Sequence, residues 1–331
     1  MQDEILLLVQ CSTTSAVART SLCALTFARD LGQKTKAPVS LVVCGLGSAP
    51  VPSELLRLGA KEVLVLRDAA GDASSAETIC PTLVKLVHSR RARWLVGAAT
   101  SFGKDLLPRV AEHLDGAFIG DCCRLTEYDG AIAFVRPVYA GNALATCMAK
   151  TDVTIISVRQ SEFAPVSSEC DTPSPMHEVR LETHTAAATR VRFLGFDPVV
   201  SERPALEEAK VVVAGGRALS ERFFEVLTPL ADSLGAAIGA TRAACDCGYA
   251  PNDSPSGANG KSRRSRSLRG RGHLRGSTTR RRDRSSRVIV AINSDSQAPI
   301  FSVADFGLVA DLFRAVPELV RALERRKSAR S

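Results

Sequence analysis

The sequence predicts an α/β protein of two domains, each built on a mostly parallel, doubly wound sheet. The chain has 331 residues, which is long for one hydrophobic core and sufficient for two. Short aliphatic runs alternate with stretches of helical spacing, and this alternation occurs in two series. Between the series, around residues 160–206, prolines and polar residues replace the pattern, as expected where a chain crosses between domains.

The first series begins with aliphatic runs at residues 5–10 and 39–44, and residues 15–31 between them have apolar positions at helical spacing. A predicted helix at residues 77–89 then leads into a run at residues 94–97. Because helices separate these runs, we predict parallel strands that are covered on both faces.

The end of the first domain has a different pattern. Residues 131–156 leave no room for helices and alternate through apolar positions, which predicts antiparallel strands appended to the same domain. We place the first domain at residues 1–190 and a linker at residues 191–208.

The second series begins with an aliphatic run at residues 210–214, turns at Gly215-Gly216-Arg217 and enters a helix at residues 220–235. The later predicted elements are strands at residues 236–239, 288–292 and 309–311 and a helix at residues 313–326. These elements define a second domain at residues 209–331.

The positive charge of the chain is concentrated in one segment. The formal net charge is +8, but residues 261–287, here called the basic block, hold 12 Lys or Arg residues against the single acid Asp283. The rest of the chain is therefore slightly acidic, which argues against a general nucleic-acid-binding surface.

Several classes of protein are disfavoured by the remaining composition. The ten cysteines include no CxxC pair and no Cys/His pair at the spacing of metal ligands, so we expect reduced thiols and no metal site. The longest apolar runs are as short as strands, so we expect no membrane span. The acidic start Met1-Gln2-Asp3-Glu4 resembles neither a secretory leader nor a transit peptide.

Polar or glycine residues follow four predicted strands of the second domain. In an open parallel sheet the carboxyl ends of the strands form the ligand crevice, and a helix start beside such an end attracts anions. A Gly-Gly turn can also be a plain chain reversal, and Arg242 can be a surface ion-pair partner. The residues that would line this crevice are Gly215, Gly216, Arg217, Thr241, Arg242, Asn293, Asp311 and Leu312.

Several segments resemble the α-subunit family of electron transfer flavoproteins. In the second domain they are Lys210-Val-Val-Val-Ala-Gly-Gly-Arg217, Gly239-Ala-Thr-Arg-Ala-Ala244, Gly248-Tyr-Ala-Pro-Asn-Asp253, Ala291-Ile-Asn293 and the stretch from Ala298 to Leu312. In the first domain they are Phe102-Gly-Lys-Asp-Leu-Leu-Pro-Arg109 and Tyr139-Ala-Gly-Asn-Ala143.

The resemblance implies an electron carrier, rather than an enzyme with its own substrate, that forms a heterodimer with a β subunit. It implies one FAD held by the C-terminal domain, with acyl-CoA and other flavin dehydrogenases as donors and a membrane quinone oxidoreductase as acceptor. It implies neither a nucleic-acid partner nor a membrane span. The expected compartment is the cytoplasm in a bacterium and the mitochondrial matrix in a eukaryote. The residues implied at the FAD site are Arg217, Thr241, Arg242, Gly257, Asn293, Asp311 and Leu312.

The resemblance also implies that Arg242 lies near the isoalloxazine ring. A positive charge about 4 Å from a reduced, anionic flavin would stabilise it by roughly 4 kcal/mol at an effective dielectric constant of about 20. Such stabilisation would favour transfer of electrons one at a time.

Residues 254–284 depart from the family. The family has a Gly-Gln-Thr-Gly-Lys loop, an aliphatic strand and the motif Ser-Gly-Ala-(Ile/Val)-Gln-His here, whereas this chain has Gly257-Ala-Asn-Gly-Lys261 and the basic block at the same spacing. Codons for residues 269–280 can be chosen so that a one-base offset encodes Val-Ala-Val-Gly-Ile-Ser-Gly-Ala-Val-Gln-His. We therefore hypothesise a local frameshift that begins near Ser254 or Pro255 and ends near Asp283, whether through a sequencing or gene-model error or a real lesion.

The chain as written has consequences for this domain. Because burying unpaired guanidinium groups costs several kcal/mol, we predict that residues 265–271 form a solvated, unstructured loop and that FAD binding is weak or absent. Two alternative functions remain at this stage. One is RNA binding through the basic block, although the block lacks aromatic residues. The other is a nucleotide-binding hydrolase on the same scaffold, although no P-loop is present.

Overall fold

The computed structural model describes residues 3–11, 17–47, 49–67, 75–141, 143–166, 170–181, 206, 209, 211–251 and 288–328, together with the backbone of Arg266–Arg269. The chain divides into two compact units. The N-terminal unit comprises Met1–Val138 and Ala143–Asp197, and the C-terminal unit comprises Tyr139–Asn142 and Pro198–Ser331. Apart from Leu206, the predicted linker at residues 191–208 lies outside the described residues.

A seven-stranded parallel sheet forms the centre of the N-terminal unit, with strand order β10-β3-β2-β1-β4-β9-β5. Its strands are β1 (Glu4–Gln10), β2 (Val39–Cys44), β3 (Val63–Arg67), β4 (Ala92–Ala98), β5 (Ala117–Cys122), β9 (Thr154–Val158) and β10 (Met176–Arg180). The helices are α1 (Arg19–Thr35), α2 (Ser53–Leu56), α3 (Ala76–Arg90) and α4 (Ser101–His113), with a short 3₁₀ helix at Gln160–Glu162. A second short 3₁₀ helix, Tyr139–Gly141, belongs to the C-terminal unit.

The alternation of side chains along β1 shows why this sheet is covered on both faces. Ile5 and Leu7 belong to one hydrophobic core with residues of α1, such as Phe27. Leu6 and Leu8 belong to the core on the opposite face, with residues of α3 and α4. Successive residues of a strand point to opposite faces, so a continuous aliphatic run stabilises both cores at once.

The antiparallel strands are fewer than the sequence predicted. A separate three-stranded antiparallel sheet is formed by β6 (Arg124–Tyr128), β7 (Ala131–Val138) and β8 (Ala143–Cys147). The expectation of an antiparallel strand around Ile155 was wrong, because β9 pairs in parallel with both β4 and β5. All five residues of β9 are buried, which is typical of an interior parallel strand.

A five-stranded parallel sheet forms the centre of the C-terminal unit, with strand order β12-β11-β13-β14-β15. Its elements are β11 (Val211–Gly215), α5 (Phe223–Leu234), β12 (Ala237–Ala240), α6 (Arg242–Asp246), β13 (Arg266–Arg269), β14 (Ile289–Asn293), β15 (Phe306–Val309) and α7 (Leu312–Ser328), with 3₁₀ helices at Arg217–Arg222 and Pro299–Ser302. Helices α5 and α7 share one core with Val213 and Ile292 of the sheet.

The prediction of an unstructured loop at residues 265–271 was wrong for Arg266–Arg269. These residues form β13, which pairs in parallel with β11 on one side and β14 on the other. Pairing between strands uses backbone N–H and C=O groups, which every residue of this segment supplies whatever its side chain. Aside from β13 itself, residues 254–284 lie outside the described residues.

Strand β15 lies at one edge of the five-stranded sheet and is exposed along its whole length. Its apolar side chains Phe306, Leu308 and Val309 are 65%, 50% and 56% exposed. In the described part of the chain, no helix combines the length and the apolar character needed to cross a bilayer.

Candidate functional site

The polar residues singled out in the sequence gather at the carboxyl edge of the five-stranded sheet. Strands β11, β12, β14 and β15 all end at this edge because they run in parallel. Two backbone hydrogen bonds join neighbouring strand ends: Thr241 N donates to Gly215 O at 2.9 Å, and Ala310 N donates to Asn293 O at 3.1 Å. The residues that follow these strands are thus held side by side. We call this edge the candidate site.

Gly215 allows the chain to turn tightly at the end of β11. A Cβ atom at this position would lie 2.3 Å from Leu219 Cδ1 and 2.7 Å from Leu227 Cδ1, so only glycine lets the helices pack this closely against the strand end. The chain then enters the 3₁₀ helix with Arg217 exposed. Arg217 has no hydrogen-bond or ion-pair partner within the described ranges, which leaves its guanidinium available to an anionic ligand.

Thr241 fixes the start of α6 at the end of β12. Its Oγ1 accepts a hydrogen bond from Ala244 N at 3.3 Å, which makes it the N-cap residue of this helix. The next residue, Arg242, is exposed, and its Nε lies 3.5 Å from Asp246 Oδ2 in an ion pair with both side chains at least 60% exposed. An exposed pair of this kind is weak, so a bound anion can compete with Asp246 for Arg242.

Asn293 and Asp311 shape the site through hydrogen bonds to their own loops. Asn293 is only 1% exposed, and its Oδ1 accepts from Asp295 N at 2.8 Å. Asp311 is exposed, and its Oδ1 accepts from Phe313 N at 2.7 Å at the start of α7. Asn293 therefore holds the turn after β14, whereas Asp311 holds the turn that leads into α7.

Leu312 occupies a different position from the other candidate residues. Its side chain is 4% exposed and belongs to the core beneath α7. Its side chain therefore does not line the edge. Gly257, the remaining candidate, lies outside the described residues.

One feature near the site, a backbone kink, was missed in the sequence. Ser220 has φ 50° and ψ −140° and marks a kink inside the 3₁₀ segment Arg217–Arg222; no sequence signal distinguishes it from an ordinary helical serine. Cys245 is buried in α6, and its Sγ donates to Pro251 O at 3.4 Å. Burial, and secondarily the charge of Asp246, raise the pKa of Cys245, so its thiol stays protonated at neutral pH.

The described residues of this edge fit a dinucleotide. Arg217 and Arg242 supply two exposed cations, and Gly215 provides the close strand-to-helix turn that lets a backbone approach phosphate groups. Thr241, Asn293 and Asp311 fix the loops between them. Among the residues that the structure describes, no group of three or more His, Cys, Asp or Glu side chains is placed to hold a metal ion.

Comparison with known proteins gives matches along most of the chain. Residues 5–189 match the family model described as the electron transfer flavoprotein domain. Residues 205–267 match the one described as the electron transfer flavoprotein FAD-binding domain. The second match ends inside the basic block.

Three relatives show the extent of the similarity. Electron transfer flavoprotein subunit alpha of Pseudomonas aeruginosa is 37% identical over 93% of this chain and 96% of its own length. The probable mitochondrial α subunit of Caenorhabditis elegans is 36% identical over 93% and 90%. That of Saccharomyces cerevisiae is 34% identical over 96% and 92%. These matches lend no support to the RNA-binding or hydrolase alternatives.

Proposed function

The chain belongs to the family of electron transfer flavoprotein α subunits, and from this premise we propose that the candidate site holds the FAD. Family membership makes FAD the cofactor, electron transfer the function and a heterodimer with a β subunit the assembly. The observation that carries the proposal is the convergence of Arg217, Thr241, Arg242, Asn293 and Asp311 at one edge of the FAD-binding unit. Gly257 and the backbone of Leu312 complete the proposed set.

Each residue has a distinct task in this proposal. Bound FAD supplies the storage and release of electrons at its isoalloxazine ring. Arg217 neutralises phosphate charge beside the turn after β11. Arg242 exchanges its weak pairing with Asp246 for negative charge on the ligand. Thr241, Asn293 and Asp311 hold the surrounding loops still, so that the two arginines meet the ligand without further reorganisation.

The proposed partners and compartments follow from family membership. We propose acyl-CoA and other flavin dehydrogenases as electron donors and a membrane quinone oxidoreductase as acceptor. The chain then works as a carrier that passes electrons between these proteins. Its compartment would be the bacterial cytoplasm or the mitochondrial matrix. The relatives from worm and yeast are named mitochondrial, which supports the second assignment for a eukaryotic source.

The experiment coexpresses the chain with a β subunit and titrates the purified complex with FAD. We expect Arg217→Ala to weaken FAD binding by about tenfold, the loss of roughly one charge-assisted hydrogen bond. Arg242→Ala should lower the midpoint potential of the bound flavin, because a nearby cation favours the reduced, negatively charged form. The matched control is Arg321→Ala. Arg321 is an exposed arginine in the second half of α7 and pairs with Glu318.

One result would contradict the proposal that FAD binds at this edge. If both Arg217→Ala and Arg242→Ala keep the affinity and potential of the unmodified complex, the FAD does not lie at this edge. Reduction of the complex by an acyl-CoA dehydrogenase and its substrate tests the donor separately, because it can fail while FAD still binds.

A further inference from the structure

A groove of about 550 Å³ lies in the N-terminal unit, at the amino edge of the seven-stranded sheet. Three segments form its walls: the second half of α1, the turn that leads into β2 at Val39, and the turn Gly59–Ala60–Lys61 before β3. The volume is within the range of about 300–1,000 Å³ that is typical of small-molecule sites. No residue of the candidate FAD site contributes to it.

The groove is lined by cations and by no acid. Arg29, Lys36 and Lys61 are among its eleven lining residues, none of which is Asp or Glu. Lys36 is exposed and has no ion-pair or hydrogen-bond partner in the described part of the chain. Lys61 Nζ lies 3.2 Å from Glu4 Oε1, but this buried carboxylate also accepts hydrogen bonds from Ser40 and Arg90. The charge of the groove is therefore positive.

The helix dipole explains only part of this arrangement. Cations near the last turn of a helix stabilise its carbonyl end, and Lys36, the C-cap residue of α1, is in that position. Arg29 lies well before the last turn, and Lys61 comes from a different segment. Arg29 is also fixed in place, because its Nη2 donates a hydrogen bond to Leu58 O. The dipole of α1 therefore does not account for the positions of Arg29 and Lys61.

Close packing requires glycine at two positions in the groove wall. A Cβ atom at Gly32 would lie 2.8 Å from Ala37 O, and one at Gly59, where φ is +61°, would lie 2.6 Å from Cys170 Sγ. Side chains at these positions are thus excluded by packing. The apolar residues Leu25, Pro38 and Val39 line the remaining wall. A cationic rim beside an apolar wall suits a ligand with an anionic end and an apolar body.

We propose that this groove binds a small organic phosphate. Its phosphate group is held by Arg29, Lys36 and Lys61 through charge-assisted hydrogen bonds. Its organic part packs against the partly exposed Pro38 and Val39. The site is separate from the FAD edge and serves ligand binding alone, with no chemical step.

The test uses the complex of the full chain with a β subunit and two probes, phenyl phosphate and inorganic phosphate. Binding is measured by isothermal titration calorimetry at low salt. The test variant is the double substitution Lys36→Asn and Lys61→Gln, in which asparagine tolerates the positive φ of 57° at position 36. The matched control is Lys104→Gln, an exposed lysine of α4 outside the groove.

We expect saturable binding of phenyl phosphate that weakens by about tenfold in the double variant and is unchanged in the control. Phenyl phosphate should bind more tightly than inorganic phosphate, because only the former uses the apolar wall. Equal affinity for the two probes would overturn the assignment to an organic ligand. Absence of saturation at millimolar concentrations, or an unchanged affinity in the double variant, would overturn the site itself. The circular dichroism spectrum of each sample verifies that the variant is folded.

Discussion

The central strands of the two sheets differ sharply in sequence. In the N-terminal unit, β1 reads Glu-Ile-Leu-Leu-Leu-Val-Gln and is buried except at its last residue. In the C-terminal unit, β13 reads Arg-Ser-Leu-Arg and occupies the central position between β11 and β14. A central parallel strand is usually a continuous aliphatic run. Side-chain pattern and backbone pairing thus agree in the first sheet and conflict in the second.

The difference indicates which interactions stabilise each unit. Hydrophobic burial on both faces supports the seven-stranded sheet, whereas the five-stranded sheet depends on the helices α5 and α7 and on the strands that flank β13. The changes below test this contrast.

The largest effect is expected at residues 269–279. Replacing them with the offset-frame sequence, Val-Ala-Val-Gly-Ile-Ser-Gly-Ala-Val-Gln-His, removes charge next to the sheet centre. We expect FAD affinity, measured by titration of the complex with a β subunit, to rise by at least about tenfold, because the replacement restores the sequence that the family has in this part of its FAD-binding domain. A scrambled version of the same insert is the control.

Sequencing of the gene tests whether its reading frame is shifted in this segment. Reads of the coding region that confirm the written frame, with an offset frame that does not encode the motif, would contradict the frameshift hypothesis. A purified complex of the written chain with full flavin absorbance near 450 nm, about the usual value for a bound flavin, would contradict the separate prediction that this chain binds FAD weakly or not at all.

In the N-terminal unit, the largest effect is expected from Arg90→Met. Arg90 donates to Glu62 at 2.7 and 2.9 Å and to Glu4 at 3.4 Å, and the two carboxylate side chains are only 12% and 6% exposed. Loss of the guanidinium leaves both nearly buried acids with fewer partners, so we expect a loss of about 2–4 kcal/mol in the free energy of unfolding by urea.

The control for this change is Arg109→Met on α4, whose pairs with Asp105 and Glu77 are exposed. It should cost much less stability than Arg90→Met, because exposed ion pairs contribute little. Similar losses in the two variants would show that the amino edge of the sheet does not depend on its ion-pair network.

A smaller effect is expected from Gly215→Ala in the C-terminal unit. The added Cβ atom meets Leu219 and Leu227 at less than 3 Å, so α5 must shift away from β11. We expect a loss of about 1–3 kcal/mol, measured by thermal unfolding followed by circular dichroism. Gly235→Ala, where φ is +58° and no atom lies within 4 Å, isolates the cost of backbone conformation and should lose about 1 kcal/mol. A smaller loss at Gly215 than at Gly235 would refute the packing argument.

The smallest effect concerns pH. The hydrogen bond from Arg90 holds the pKa of Glu62 below its ordinary value of 4.5. Because the folded-state pKa is depressed, the stabilisation is present above the unfolded pKa and is lost as pH falls through the folded value. Glu62→Gln should therefore flatten the loss of urea stability between about pH 5 and pH 3. An unchanged pH dependence in this variant would exclude Glu62 as a cause.

Most parallel strands could be predicted because a continuous aliphatic run indicates a strand that is buried on both faces. The runs at residues 5–10 and 39–44 became β1 and β2 almost unchanged. Strand β9 could not be assigned to its sheet, because the short run Thr-Ile-Ile-Ser-Val fits a parallel or an antiparallel neighbour equally. Strand β13 was missed because its pairing is imposed by the strands on either side and not by its own residues.

The candidate site, like the fold, could be predicted only in part. Its location followed from the rule that strand ends in a parallel sheet meet at one edge, and Thr241, Asn293 and Asp311 lie there. What each side chain does there could not be predicted. Asn293 is turned inward to hold Asp295 N, and Leu312 packs in the core, because local hydrogen bonding and the position of α7 decide these orientations.

Strand β15 has a consequence for handling the molecule. An apolar strand at a sheet edge is a template on which a further strand can add, and Phe306, Leu308 and Val309 offer such a surface. Self-association at this strand would increase with the square of the concentration of the unaccompanied subunit. Yield and homogeneity should accordingly improve with dilute refolding, or with synthesis alongside the β subunit, more than with changes of temperature or buffer.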